Sequence, residues 1–425
     1  MLVIQIFKCR IVLFSLGVLL SLHLPAQDTT QYRVKGRTNL PSQYQKPYMI
    51  LVSADGFRYD FAEKYNAAFL QQMSAGGVKA TSMKPSYPSL TFPNHYSIAT
   101  GLYPAHHGLV DNNMYDRKMN QFYSIRNRKA VTDPAWYGGT PIWVLAENNR
   151  LMSASFYWVG SETEIKGVRP SYYFNYNEAI PIDRRIEIVK EWLQMPDSTR
   201  PHLITFYMPE VDHAAHRYGT NAPETREAVQ FVDDAMRKLY IMTQESGLPV
   251  NFIFLSDHGM ADMDTDNPIK IPVKIDTAKF IVTGGATTVH WYAKEKRDVK
   301  PLYKLLKKNA QEYHAYLVKK MPKRWHYSTS DDRFERIGDI LLTPVAPPKG
   351  FGTPGRKLSK GEHGFDNDLP EMQATFYAWG PAFKERYTID NFENVNVYPL
   401  IAKILGLPVT EKIDGNLKVL EKILK

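Results

Sequence analysis

Cysteine is all but missing: the 425 residues contain one, Cys9. It lies in an N-terminal stretch that reads as a leader, so a chain without that stretch has none. Disulfides, a cysteine nucleophile and cysteine-ligated zinc are then excluded. Long apolar runs are scarce as well. Ile11 to Leu22 is too short for a comfortable membrane span. Lys8 and Arg10 precede it, and Pro25, Ala26 and Gln27 follow. That order is the one of a secretory signal, which predicts removal of residues 1–27 and a secreted or periplasmic protein with no span left. No cysteine follows the run in the cleavage region, so a lipid anchor is not expected. Export without disulfides suits a bacterial envelope.

Acidic excess is absent too. The net charge is +9, and much of the surplus follows residue 295, as in Lys307, Lys308, Lys319, Lys320 and Lys323. This reads as a solvated basic face, with a mild field that attracts anionic small molecules; a stable nucleic-acid complex is not expected. Repeats and low-complexity linkers are lacking. Hydrophobic content of 44% and charged content of 23% exclude disorder and fibres.

What is present is an alternation of short apolar runs and amphipathic stretches. Tyr48 to Ala54, Leu151 to Trp158, Leu203 to Met208, Val250 to Leu255 and Ala374 to Trp379 read as buried strands. Phe61 to Met73, Ala222 to Gln244 and Val397 to Leu405 read as helices. The pattern predicts an α/β fold: a mostly parallel central sheet with helices on both faces. Residues 28–425 read as one catalytic domain. The Lys- and Pro-rich segment from about 265 to 360 reads as an inserted flap.

Three strand ends deliver metal-ligand residue types. Asp55 follows the first strand, Asp212 and His216 follow Leu203 to Met208, and Asp257 with His258 follows Val250 to Leu255. In open α/β sheets, sites lie outside the carboxyl ends of the strands. One such Asp alone is more often a cap or turn residue; three together point to a site. Asp212 and His216, at i and i+4, share one helical face and can grip one ion. His363, in a Gly-flanked loop, supplies a further ligand. His202 and His213 lack such support and read as packing or surface residues. Asp and His without cysteine suit zinc, with manganese or iron as alternatives. A pair of metals would polarise a phosphoryl group. Thr91, before Phe92-Pro93, stands at an expected helix start, where free N–H groups favour anions. Its bland role is a cap; a metal would make it a nucleophile.

At this point the sequence resembles the nucleotide pyrophosphatase/phosphodiesterase family of the alkaline phosphatase superfamily, as a minimal catalytic domain. The carrying segments are Val52 to Arg58, Lys84 to Asn113 with Thr91-Phe92-Pro93-Asn94-His95, Glu210 to His216, Ser256 to Met260, and Gly361 to Phe365. The resemblance implies an alkaline phosphatase-like fold and two zinc ions per chain. Asp55, Thr91, Asp257 and His258 would hold one, and Asp212, His216 and His363 the other. It implies that Thr91 attacks phosphorus of a nucleotide to form a phospho-threonine, which a water then hydrolyses to release a nucleoside monophosphate. Asn112 matches the family's donor to a phosphate oxygen. Phe92 and Tyr173 match the pair that stacks the base, with Tyr172 a rival one register away, and Trp158 lines the same wall. The chain departs from the family at His213-Ala214-Ala215, where a small residue and Gly are frequent, but the i, i+4 spacing is kept.

Other readings fit less well. Sulfatase relatives need Cys or Ser at the nucleophile and an Arg soon after; Thr91 and His95 stand there instead. A phosphomonoesterase would need a clamp for further phosphate oxygens. A phosphocholine-type lipid phosphodiesterase would need an aromatic and acidic cage. A non-catalytic exported metal-binding protein would need sites closed by four protein ligands, and one site here offers three.

Overall fold

Tyr48–Ala54, Leu203–Met208 and Val250–Leu255 are buried along their whole length, which only a strand covered on both faces requires. They lie side by side and parallel at the centre of a nine-stranded sheet, with Val52 opposite both Phe206 and Phe254. The computed structural model describes residues 28–352 and 357–425; the expected leader lies outside them.

The strand order across the sheet is Gln31–Arg33, Tyr172–Phe174, Ser153–Phe156, Leu203–Met208, Tyr48–Ala54, Val250–Leu255, Phe376–Trp379, Val78–Ala80 and Tyr387–Ile389. Alternate residues of the central strand serve opposite faces. Met49 and Leu51 join one apolar cluster, with Ile98 of Thr91–Thr100, Trp143 of Ile142–Asn148 and Leu400 of Val397–Ile404. Ile50 and Val52 join the other, with Leu70 of Ala68–Gly76, Trp192 of Ile182–Leu193 and Met236 of Pro223–Glu245. The chain therefore has the expected α/β fold with helices on both faces.

The sheet is mixed. Phe376–Trp379 runs antiparallel to both Val250–Leu255 and Val78–Ala80, and Gln31–Arg33 runs antiparallel to Tyr172–Phe174. The helix expected over Phe61 to Met73 is two helices, Phe61–Lys64 and Ala68–Gly76. Asn66 between them takes φ 53°, a left-handed turn that asparagine tolerates. Asp233 then accepts the N–H groups of Phe69 and Leu70 at 3.1 and 2.7 Å, satisfying the start of the second helix.

A second sheet is antiparallel, in the order Phe280–Gly284, Val289–Ala293, Ile340–Pro344, Tyr313–Leu317. It packs on the helix Lys296–Lys308 around its own apolar cluster, which includes Ile269, Trp291, Leu306 and Phe351. Among the described residues no helix is long and apolar enough to cross a membrane.

Candidate active site

Because the three central strands are parallel neighbours, their carboxyl ends open on one spot. Asp55 leaves the middle strand, and its N–H still donates to Met208 O of the neighbour at 2.9 Å. Asp212 and His216 stand one turn apart on Glu210–Tyr218, with His216 Nε2 and Asp212 Oδ1 3.3 Å apart. His258 Nε2 lies 3.0 Å from Asp257 Oδ2 and 3.4 Å from Asp55 Oδ1. The loop after Gly361–Glu362 brings His363 onto His258, with ring centroids 3.6 Å apart. Its Nε2 reaches to 3.7 Å from Asp212 Oδ1.

Three overlapping groups result, each with ligand atoms within 4.8 Å of one another: Asp212, His216 and His363; Asp55, Asp212 and His258; and Asp55, His95 and Asp257. The expected trio of Asp212, His216 and His363 is assembled as a set. Asp55, Asp257 and His258 are divided between the other two groups, where Asp212 and His95 join them.

The histidines show which groups are built for a metal. His216, His258 and His363 each place Nδ1 on a backbone carbonyl, of Gly361 at 2.7 Å, Gly259 at 2.9 Å and Ser89 at 2.9 Å. A carbonyl only accepts, so each Nδ1 carries the hydrogen and each Nε2 can offer a lone pair to the cluster. His95 differs. Its Nδ1 faces Thr91 O at 3.0 Å and Asp257 Oδ2 at 3.2 Å, and its Nε2 faces Ser53 Oγ at 2.8 Å. Both nitrogens are spent, so His95 orients Asp257 and the helix start rather than ligating.

The carboxylates complete the case. Asp55 Oδ1 and Asp212 Oδ1 are buried without a hydrogen-bond partner, and Asp257 Oδ2 meets the His95 and His258 nitrogens at 3.2 and 3.0 Å without hydrogen-bond geometry. Burial and the charges of Asp257 and Asp212 push the Asp55 carboxyl well above its usual range. Burial opposes ionisation of Asp212, yet the neighbouring His216 outweighs it and holds Asp212 below the carboxylate range. Against burial, Asp212 in turn pushes His216 up to about 10. Burial pushes His363 down to about 3. Three acids this close cannot all be ionised unless cations sit among them, and the residues present fit divalent metal ions.

Thr91 opens the helix Thr91–Thr100, whose preceding residue Leu90 provides no side-chain cap. Pro93 to Thr100 are all buried; Thr91 and Phe92 alone meet solvent. Thr91 Oγ1 is 3.2 Å from His258 Nε2. Asn112 is partly exposed, and its Oδ1 accepts the Phe92 N–H at 3.1 Å. Its Nδ2 takes no protein acceptor among the described residues and is free to donate.

Trp158 is buried, and its Nε1 donates to His95 O at 3.0 Å, which ties it to the Thr91 helix. Phe92 is partly exposed and meets the Tyr123 ring at 6.4 Å. Tyr173 is occupied within the sheet: Tyr32 of the edge strand stacks on it at 5.1 Å and the Arg169 guanidinium lies 5.9 Å from its centroid. Tyr172 is buried on the opposite face, near Trp192. Tyr176 is 40% exposed and packs on Tyr207 at 6.2 Å, whose hydroxyl donates to Asp55 Oδ2 at 2.6 Å. His213 is an exposed partner of Glu178, and His202 stacks on Tyr48.

Sequence reasoning missed His95, Tyr207 and Tyr176. His95 carried a usable signal, its i+4 spacing from Thr91, which places the ring over the helix start. Tyr207 also had one, since it alternates with Thr205 on the face that Ser53 shares.

The model of the family described as type I phosphodiesterase / nucleotide pyrophosphatase matches residues 49–366. Ectonucleotide pyrophosphatase/phosphodiesterase family member 1 of Mus musculus is 36% identical over 380 residues, 86% of this chain and 42% of that protein. Venom phosphodiesterase 2 of Crotalus adamanteus is 34% identical over 389 residues, 88% of this chain and 47% of that one. The chain thus spans less than half the length of these relatives. Murine ectonucleotide pyrophosphatase / phosphodiesterase 5, solved in an inactive threonine-to-alanine form with AMP, superimposes with a TM-score of 0.82 at 26% identity, over 89% of this chain and 100% of that one. The chain belongs to the type I phosphodiesterase / nucleotide pyrophosphatase family.

Proposed function

We propose that the protein is a secreted phosphodiesterase that hydrolyses phosphodiester or pyrophosphate bonds of nucleotides through a phospho-threonine on Thr91, releasing a nucleoside monophosphate. The observation that carries this reading is the place of Thr91: a hydroxyl at an uncapped helix start, 3.2 Å from His258 Nε2 and beside buried acids with orphaned oxygens. The murine neighbour with AMP is inactive when a threonine is replaced by alanine, which supports a threonine nucleophile.

Asp55, Thr91, Asp257 and His258 would hold one zinc ion, and Asp212, His216 and His363 a second. When bound, the pair would supply Lewis-acid polarisation of the phosphoryl group and an acidified nucleophile. The chain's own residues do the rest. His95 holds the first turn of the helix and Asp257 in register. Thr91 gives its hydroxyl proton to solvent as Oγ1 bonds to phosphorus, and the bond from phosphorus to the leaving oxygen breaks in line on the opposite side, its electron pair staying with that oxygen. The Thr91 N–H and Asn112 Nδ2 donate to the phosphate oxygens, each well-aimed donor contributing about 3 kcal/mol. Water then displaces the Thr91 oxygen. Phe92 and Tyr176, with Trp158 behind, receive the base; Tyr176 takes the place expected for Tyr173 because it reaches the Asp55 neighbourhood. Stacking of this kind is worth about 1–3 kcal/mol per base and tolerates any base.

A cation-lined cavity favours nucleotides over choline lipids. About 590 Å³ in volume, it borders His216 and is lined by Arg217, Lys357 and Lys360, with no acid among the described lining residues. A quaternary ammonium would be repelled there, whereas an anionic leaving group would be held.

The test is a substrate panel with zinc-loaded protein starting at residue 28: the p-nitrophenyl esters of thymidine monophosphate and of phosphocholine, and p-nitrophenyl phosphate. The nucleotide ester should be turned over well above the other two. A preference for phosphocholine would move the substrate class to lipids, and no turnover at all would sink the enzyme.

A further inference from the structure

The second sheet reaches the active site through two consecutive threonines. Thr287 and Thr288 stand just before the strand Val289–Ala293, and both are buried. Thr287 lies at a bend, and the two hydroxyls turn to different partners. Thr287 Oγ1 donates to His363 O at 2.9 Å, on the loop that carries a candidate metal ligand. Thr288 Oγ1 donates to Asp111 Oδ2 at 2.6 Å, next to Asn112. His290 Nε2 lies 3.3 Å from the same carboxylate oxygen. The other oxygen, Asp111 Oδ1, accepts Asn113 N–H at 2.8 Å. Asn112 is thus held between an anchored Asp111 and a strand that begins at Asn113, while its own side chain rests on Phe92 N–H.

The packing leaves little slack. A Cβ at Gly364 would come 2.3 Å from Thr287 Oγ1, and Gly364 has φ +94°, so the backbone after His363 closes directly on this hydroxyl. Asp111 is 1% exposed, and an unpaired carboxylate there would be expensive. Neither threonine hydroxyl is needed to fill space, since valine has the same shape. Their value lies in where they direct their hydrogens.

We propose that Thr287 and Thr288 are positioning residues, which hold the His363 loop and the Asn112 donor at a fixed separation and so make the second sheet part of the catalytic apparatus. This rests on the reading of Asn112 as a transition-state donor. Thr288 acts through Asp111 on Asn112, and Thr287 acts through the His363 carbonyl on the metal-ligating ring. A shift of a fraction of an ångström in a donor aimed at developing charge costs rate while leaving ground-state binding in place.

The experiment is a double-mutant cycle on the zinc-loaded full chain, with the p-nitrophenyl ester of thymidine monophosphate as substrate. Thr288→Val should lower kcat about tenfold with KM within about twofold, and Thr288→Ser should restore most of it. In an Asn112→Ala background, Thr288→Val should have no further effect on kcat, because the group it positions is gone. Thr287→Val should instead weaken zinc retention against a chelator, with Thr287→Ser again restoring it. Full additivity of Thr288→Val and Asn112→Ala would overturn the proposal, as would a serine variant no better than valine. Failure of the underlying reading shows separately, as an Asn112→Ala enzyme with wild-type kcat, and would overturn the proposal with it.

Discussion

Asn112 Oδ1 accepts the backbone N–H of Phe92 at 3.1 Å. Phe92 N–H can only donate, so this contact fixes which end of the amide faces the helix and leaves Nδ2 without a protein acceptor among the described residues. The donor is oriented before substrate arrives. Replacing Asn112 by alanine should lower kcat by about 10²–10³, equivalent to about 3–4 kcal/mol, with a smaller change in KM. Steady-state kinetics of the zinc-loaded variant checks this; an equal loss in KM alone would assign Asn112 to ground-state binding.

Tyr176 and Tyr173 separate the two versions of the base pocket. Tyr176→Ala should raise KM for nucleotide esters about tenfold, the value of one lost stacking partner. Tyr173→Ala, which loses contacts to Arg169 and to Tyr32 of the edge strand, should leave KM within about twofold. The reverse order would return the pocket to Tyr173.

Metal uptake should release protons. In the metal-free protein, His216 is pushed up to about 10 by Asp212. A folded-state pKa above the ordinary 6.5 means that this pair stabilises the metal-free fold fully below 6.5 and loses that contribution as pH rises through 10. At pH 8 the ring is charged, and a metal must displace its proton. Calorimetric zinc titrations in buffers of different ionisation enthalpy should report at least one proton released per chain at pH 8. Buffer-independent heats would contradict the assignment of His216.

Arg336 ties the second sheet to the loop segments beside Asn112. Its Nε donates to Asp116 at 2.7 Å, and its guanidinium donates to the carbonyls of Gly108, Trp136 and Ala135. Both Arg336 and Asp116 are buried. Arg336→Leu should destabilise the fold by about 3–5 kcal/mol, because it strands a buried carboxylate. Urea unfolding of the metal-free variant measures this, and a loss under about 1 kcal/mol would show that water or a neighbour replaces the guanidinium.

How much of this was legible in sequence follows from range. Tyr48–Ala54, Leu203–Met208 and Val250–Leu255 could be bounded to the residue because each is a short, mainly apolar run that stops at Asp55, Pro209 or Ser256. Asp212 and His216 were legible because i, i+4 spacing is local geometry. The direction of Phe376–Trp379 was not, since its residues are the same read parallel or antiparallel, and the connection decides. Tyr176 was missed because strand alternation ends at Phe174, after which no period says where a side chain points. Thr288 and Asp111, 177 positions apart, meet only because the second sheet packs against the strand Asn113–Asp116, and no local pattern announces it.

The central claim is that Thr91 is the nucleophile. Turnover of the p-nitrophenyl ester of thymidine monophosphate should be compared in wild-type, Thr91→Ser and Thr91→Ala proteins of matched zinc content. The account predicts a loss of at least about 10³ in kcat for alanine with partial activity for serine. An alanine variant that holds its zinc and turns over at the wild-type rate would contradict it.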